Sequence, residues 1–297
     1  MTDRTLRVGL TQWHATRDRA ANTATAVRMV RECAAAGAQL VLLPENGLML
    51  GTNSEMREAA LTVDSPEITS LRQAAKEAGT VVVLGGFKRR GPTDIRNTAL
   101  VIDAHGEIAG GYDKIHLFDA RVGGQSFEAS GVETAGDHPS LLRVGGTTVG
   151  LTICYDVRFP ELYRALALSG AEVLLVPAAF TQRTGEAHWE VLLRARAIEN
   201  AAYVVASATI QGQGDDTDDA FPTYGHALAV GPWGEVLADL GEQAAAWQVV
   251  DLDLSQVAAR RTALPVLNGV KSAAYGVPPE IIDAETREEH EHRTTTG

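Results

Sequence analysis

The stretch "GLTICYDVRFPELY", residues 150–163, changes character abruptly at one cysteine. The apolar run from Val149 to Ile153 has the composition of a buried strand and ends at Cys154. A polar turn follows, and Pro160 then stands at a favoured first position of a helix. This order of strand, turn and helix indicates an α/β protein. It also leaves a thiol near the carboxyl end of a strand, where sites in α/β sheets tend to gather.

The rest of the chain repeats this alternation of strands and helices. Helical spacing occurs at 20–38, 65–78, 160–171 and 186–200; buried-strand runs at 39–46, 80–87, 172–180 and 202–210; and hairpin patterns at 96–114, 141–154 and 223–240. No linker divides these elements. We therefore predict a single domain over residues 1–280, followed by an acidic, disordered tail over 281–297.

Composition limits the partners of this chain. Its formal charge of −12 disfavours nucleic acids and anionic membrane surfaces, because binding to both depends on Lys and Arg. No apolar run approaches the roughly 20 residues that span a bilayer, and the N-terminus does not have the pattern of a signal peptide. Two cysteines, Cys33 and Cys154, do not make a disulfide framework, so we expect a cytoplasmic protein.

Three reactive side chains stand where apolar segments end. Glu45 follows "QLVLLP", Lys114 follows "EIAGGYD", and Cys154 follows "VGLTI". Taken singly, each has an ordinary interpretation: a helix cap or solvated carboxylate, a surface lysine, and a small buried hydrophobe. However, only four of the 26 basic residues are lysines, so a lysine here indicates a need for a compact ammonium group. Together the three groups suit a nucleophilic thiol, since the ammonium favours the thiolate and the carboxylate can accept the thiol proton.

The motifs around these residues resemble those of the nitrilase superfamily of carbon–nitrogen hydrolases. They are "LVLLPEN", "YDKIHLFD" and "GLTICYDVRFPEL", supported by "LLVPAAF" and "TGEAHWEVLLRARAIENAAYVVA", and the match runs in the family's order over residues 6–265. Within the superfamily the chain is most similar to the Nit branch, which contains the deaminated glutathione amidases and the omega-amidases. The resemblance implies an α/β fold, a four-layer α-β-β-α sandwich, that pairs into homodimers and uses no cofactor or metal.

The resemblance also implies a role for each catalytic position. Cys154 would attack an amide carbonyl, with Glu45 as general base and then general acid. Lys114 would stabilise the thiolate and the oxyanion, and the backbone N–H of Tyr155 would complete the oxyanion hole. Glu128, in "QSFEASG", would help to hold the lysine and the substrate.

Four further residues are expected to bind the substrate: Arg158, Phe180, Thr184 and His188. Arg158 lies four residues beyond the cysteine, and its guanidinium suits a forked clamp on a carboxylate, although a surface arginine is the alternative. Thr184 could instead cap a helix, and His188 could simply pack against it.

We thus expect a cysteine-dependent amidase acting through a thioester on a small carboxylate-bearing amide, most of all deaminated glutathione, with release of ammonia. The alternatives are an omega-amidase acting on α-ketoglutaramate and an N-carbamoyl or aliphatic amide hydrolase. A non-catalytic scaffold is disfavoured because Glu45, Lys114 and Cys154 are all present, and a redox role because a C-x-x-C partner is absent.

Overall fold

The computed structural model describes residues 4–122, 124–212 and 220–282. The strands are β1 (Thr5–Trp13), β2 (Leu40–Leu43), β3 (Val81–Arg90), β4 (Ile95–Ile102), β5 (Ile108–Asp113), β6 (Asp119–Val122), β7 (Gln125–Glu128), β8 (Ser140–Val144), β9 (Thr147–Leu151), β10 (Val173–Leu175), β11 (Tyr203–Ala206), β12 (Ala208–Thr209), β13 (Leu228–Val230), β14 (Val236–Asp239) and β15 (Ala245–Asp253). The α-helices are α1 (Arg19–Ala35), α2 (Asn53–Glu58), α3 (Pro66–Ala78), α4 (Pro160–Leu168), α5 (Gln182–Asn200), α6 (Leu254–Ala263) and α7 (Ser272–Tyr275).

Two mixed sheets form the centre of the molecule. The first has the order β12-β1-β2-β3-β4-β5, with β15 also paired to β1, and the second has the order β14-β13-β11-β10-β9-β8. Strands β1, β2 and β3 run parallel, as do β9, β10 and β11. Parallel strands bring their carboxyl ends to one edge of a sheet, which is where residues following β2 and β9 are expected to meet.

Strand β2 shows how the layers are stacked. Leu40 and Leu42 belong to the core between the two sheets, whereas Val41 and Leu43 belong to the core that the first sheet shares with α1 and α3. All four side chains are fully buried, which explains why the sequence here is continuously apolar rather than alternating.

The second sheet is covered on its other side by α4 and α5, whose buried side chains include Leu166, Trp189 and Leu193. The order of layers is therefore helices, sheet, sheet, helices. This confirms the predicted α-β-β-α sandwich.

The prediction of one strand over 202–210 is wrong. Strand β11 belongs to the second sheet and β12 to the first, so the chain crosses between the sheets at Ser207. The Ser207 hydroxyl donates to the Leu42 carbonyl (2.8 Å) and accepts from the Thr11 N–H (2.9 Å). These bonds satisfy backbone groups at the point where the ladder is interrupted.

The chain forms one compact unit up to Leu267, and Asn268 begins a second, of which residues 268–282 are described. The predicted acidic tail lies almost wholly outside the described residues, so that boundary stays a prediction. In the part of the chain that the structure describes, no helix combines the length and apolarity needed to cross a membrane.

Candidate active site

Glu45 lies two residues beyond β2, and its carboxylate is buried. One oxygen, Oε1, accepts from Lys114 Nζ (2.8 Å) and from Asn97 Nδ2 (2.9 Å). The other, Oε2, accepts from the backbone N–H of Ala179 (3.0 Å). Three donors thus hold one carboxylate in a fixed orientation, which is how a buried charge is tolerated.

Lys114 follows β5 directly and is as deeply buried as Glu45. Its backbone N–H donates to the carbonyl of Asn97 (2.8 Å), the residue whose side chain also contacts Glu45. Strand β4 therefore positions both members of the ion pair.

Cys154 begins a 3₁₀ turn, Cys154–Arg158, three residues after β9 ends. Its φ of 47° lies in the left-handed region, which residues other than glycine avoid and which is enriched at functional sites. The Cys154 N–H donates to the Pro177 carbonyl (2.9 Å), and within the described residues no oxygen accepts from the following N–H, that of Tyr155. The turn therefore leaves a backbone donor open beside the thiol.

The three side chains line the same pocket, and their charges act on one another. Burial by itself would raise the pKa of Glu45, but the ammonium groups of Lys114 and Lys88 lower it to about 2. Burial would lower the pKa of Lys114, yet the Glu45 carboxylate raises it above the ordinary lysine value. The resting pair is thus carboxylate and ammonium.

The thiol of Cys154 differs from the expectation that the nearby ammonium favours the thiolate. Burial and the charge of Glu45 raise its pKa, and the opposing influence of Lys114 is smaller. The resting thiol is therefore protonated, and a base must remove its proton when it attacks. Glu45, which is ionised and adjacent, is suited to this task.

Most of the residues predicted to bind the substrate are brought together. The pocket is lined by Arg158, Phe180 and Thr184, whereas His188 is exposed and does not line it. Tyr155, predicted to complete the oxyanion hole, lines the same pocket. Thr184 lies inside α5 and does not cap it, because the helix begins at Gln182.

Arg158 is held by two aromatic rings and a histidine. Its guanidinium carbon lies 5.1 Å from the Phe180 ring centroid and 5.8 Å from that of Tyr155, and Nη1 donates to His188 Nδ1 (3.3 Å). No carboxylate among the described residues pairs with it. A planar cation in a pocket without an acidic partner suits a carboxylate ligand.

Glu128 is not brought to this cluster. Its side chain is exposed, accepts from the Ser126 hydroxyl (3.3 Å) and does not line the pocket. Glu133, five residues later, is buried in the pocket wall and pairs with Lys88 at 2.5 Å. Sequence reasoning missed this pair, although the scarcity of lysine that marked Lys114 could also have marked Lys88.

Aromatic side chains from three separate segments form another part of the wall that the sequence did not reveal. The Phe127 ring lies 5.1 Å from that of Phe118 and 5.3 Å from that of Phe221. No group of three or more metal-ligating side chains occurs among the residues that the structure describes.

Comparison with known proteins places this geometry in a family. A model of the carbon-nitrogen hydrolase family matches residues 7–262, which include the whole cluster. The chain is a carbon–nitrogen hydrolase. The hydrolase is 42% identical to a deaminated glutathione amidase from Synechocystis over 217 residues, covering 70% of this chain and 77% of that one. It is 34% identical to the human omega-amidase NIT2 over 273 residues, covering 91% and 97% respectively.

A solved structure extends the similarity to the fold. The hydrolase resembles the Caenorhabditis elegans NitFhit protein with a TM-score of 0.84 and 32% identity, covering 96% of this chain and 70% of that chain. The hydrolase thus acts on carbon–nitrogen bonds other than peptide bonds, as the sequence predicted.

Proposed function

We propose that this hydrolase cleaves a carboxylate-bearing amide through a thioester on Cys154. The observation that carries the proposal is the 2.8 Å contact of Glu45 Oε1 with Lys114 Nζ in the pocket that Cys154 lines. A base, a cation and a thiol around one cavity are the groups that acyl transfer to sulfur requires.

In the first half of the reaction Glu45 takes the thiol proton as Sγ attacks the carbonyl carbon. The C–S bond forms and the carbonyl electrons move to oxygen, where Lys114 and the Tyr155 N–H stabilise the negative charge. Collapse of this intermediate breaks the C–N bond, and the leaving amine takes the proton from Glu45. Water, deprotonated by Glu45, then attacks the thioester and releases the acid and the thiol.

Deaminated glutathione is the substrate that we propose first, supported by the names of several relatives and by the Arg158 guanidinium, which pairs with no carboxylate in the described part of the chain. An omega-amide such as α-ketoglutaramate is the second, since other relatives are named omega-amidases. The two substrates differ in their leaving group. The amide of deaminated glutathione is secondary and releases a dipeptide amine, so the ammonia expected from the sequence applies only to the omega-amide.

The test compares the two substrates side by side, with amine release followed for one and ammonia release for the other. We expect turnover of at least one substrate and a mass increase on the Cys154 peptide that matches the acyl group. In Cys154→Ala we expect kcat to fall at least about 10³-fold. Cys33→Ala is the matched control, because it removes a buried thiol outside the pocket. Retained turnover in Cys154→Ala would refute the mechanism.

We also propose that the hydrolase is a homodimer in the cytoplasm. The outward faces of α4 and α5 carry Leu168, Val191 and Ile198, which are 52%, 69% and 48% exposed and suit burial against a second copy. Two free cysteines fit a reducing compartment.

A further inference from the structure

A buried carboxylate with no part in the steps above lies two residues beyond Cys154. Asp156 is fully buried, and its Oδ2 accepts from the Ile153 N–H and from the Tyr112 hydroxyl, both at 2.8 Å. Its Oδ1 contacts the His116 ring at Nδ1 (2.7 Å) and accepts from the His116 N–H (3.2 Å). Because a carboxylate oxygen only accepts, Nδ1 carries the hydrogen in this contact.

These donors belong to the two segments that carry the nucleophile and the ammonium group. Ile153 immediately precedes Cys154, whereas Tyr112 and His116 flank Lys114 on either side. The Tyr112 hydroxyl also accepts from the Ile115 N–H (3.1 Å), which adds a second tie within the lysine segment. One carboxylate thus joins the end of β5 in the first sheet to the turn after β9 in the second.

The hydrogen bonds of Asp156 with Ile153, Tyr112 and His116 form a bridge between the two segments, and this bridge also reaches the oxyanion side of the site. The His116 ring is stacked on Phe159 at 3.6 Å, and Phe159 meets the Tyr155 ring edge-on at 5.4 Å. The residues on both sides of the left-handed Cys154 are therefore held, Ile153 by its hydrogen bond to Asp156 and Tyr155 through this aromatic stack. A backbone conformation of this kind persists only when its surroundings over-determine it.

We propose that Asp156 is a positioning residue that fixes the Lys114 ammonium relative to the Cys154 sulfur by binding both segments at once. The inference rests on the proposed function, since it assigns Lys114 and Cys154 the roles given above. It predicts that loosening the bridge slows the chemical step and leaves binding of the substrate nearly unchanged, because the Arg158 guanidinium donates to His188 and not to Asp156, Tyr112 or His116.

Tyr112→Phe tests the bridge by removing one hydroxyl donor, and Tyr163→Phe is its matched control. Both phenols are buried, but Tyr163 bonds Thr152 Oγ1 (2.8 Å) and has no bond to the lysine segment. We expect Tyr112→Phe to lower kcat at least about tenfold, since small misplacements of reacting groups cost this much or more, while KM changes less than about threefold. The control should change neither.

A second readout needs no substrate. Alkylation of Cys154 by iodoacetamide is followed by mass spectrometry of its peptide. We expect the rate of alkylation to rise at a higher pH in Tyr112→Phe than in the wild-type enzyme, since Lys114 then favours the thiolate less. The charged groups that act on this thiol are Glu45 and Lys114, and both stay in the variant. If Tyr112→Phe does not fold, His116→Phe keeps the stacked ring while removing its donor and carries the same expectations.

Three outcomes would overturn the proposal. They are an equal decrease of kcat in Tyr112→Phe and Tyr163→Phe, an increase of KM in Tyr112→Phe with kcat unchanged, and an alkylation profile with pH that does not change relative to the wild-type enzyme. Failure of the wild-type enzyme to hydrolyse any of the amides would overturn the proposed function instead. The alkylation comparison would still decide whether the bridge positions the two groups.

Discussion

At the scale of single residues, two of the three cations that line the pocket, Lys114 and Arg158, have different surroundings. Lys114 is bonded to the Glu45 carboxylate, whereas the Arg158 guanidinium contacts aromatic rings and a histidine and pairs with no carboxylate among the described residues. Lys114 therefore serves the reaction, and Arg158 can bind the carboxylate of a ligand. This division leads to separate predictions for binding and for chemistry.

Arg158→Ala should raise KM for carboxylate-bearing amides at least about tenfold, because a charge-assisted bond to a carboxylate is lost. KM for a neutral amide of similar size should change little. Arg183→Ala, which removes an exposed arginine outside the pocket lining, is the control for the loss of one positive charge. Steady-state kinetics on the two amides measure the difference, and equal effects on both would refute the clamp.

Lys88 should affect the pH dependence of the reaction. Glu45 must be ionised to accept the thiol proton, so activity falls as pH decreases through its pKa. Lys88 helps to lower that pKa, and Lys88→Met should therefore move the acidic limb of kcat/KM to higher pH.

The control for Lys88→Met is Lys76→Met, which removes an exposed lysine on α3. The double variant Lys88→Met/Glu133→Gln avoids leaving a buried carboxylate unpaired and should shift the limb in the same direction. An acidic limb that stays in place in both variants would contradict the prediction.

The central residues of the site could be predicted from the sequence, whereas the glutamate in the pocket wall could not. Glu45, Lys114 and Cys154 stand out because each follows an apolar run, and the structure brings them to one pocket. Glu128 and Glu133 lie five residues apart in one polar segment, and only the path of that loop decides which faces the pocket. No pattern in the sequence encodes that path.

At the scale of elements, β3 is shaped by two adjacent glycines. The register with β4 shifts between Leu84 and Phe87, which encloses Gly85 and Gly86. A Cβ atom on Gly85 would collide with the Leu43 carbonyl and with Pro177. Leu43 leads into Glu45, and the Pro177 carbonyl accepts from the Cys154 N–H, so this close approach brings two parts of the site together.

Gly85→Ala should therefore lower the free energy of unfolding by about 1–3 kcal/mol, as overpacking does, and should lower kcat as well. Gly131→Ala is the control, because a Cβ atom there would meet open space. Urea denaturation and steady-state kinetics measure the two effects. A Gly85→Ala enzyme with wild-type stability would show that the backbones can separate at no cost.

Elements with a strong apolar pattern could be predicted from the sequence, and those without one could not. The helices α1 and α3, the strands β2 and β3 and the hairpin of β4 with β5 all lie where periodicity indicated. Helix α2 and the hairpin of β6 with β7 are short and largely polar and were missed. The crossing at Ser207 was missed because both β11 and β12 are buried, so burial does not change where the chain leaves one sheet for the other.

At the scale of the whole molecule, the proposed dimer makes a direct prediction. Val191→Asp places a charge on the outward face of α5 and should convert a dimer to a monomer at micromolar concentration, because burying an unpaired charge is costly. Leu141→Asp, on β8, is a control with a comparable change at a less exposed apolar position. Size-exclusion chromatography with light scattering measures the mass. A monomeric wild-type protein would refute the dimer.

Strand β1 also bears on how the chain is made. Among the described strands it is the first to be synthesised, yet along its full length it pairs with β15, near the other end of the described chain. At about 5–20 residues per second, β1 waits on the order of ten to fifty seconds for that partner. Until then it exposes an open edge, which invites pairing with other chains. A product that stops before Ala245 would contain Glu45, Lys114 and Cys154 and still be prone to aggregate. Pairing with β15, the last of the described strands, therefore protects from aggregation a chain whose catalytic residues were synthesised much earlier.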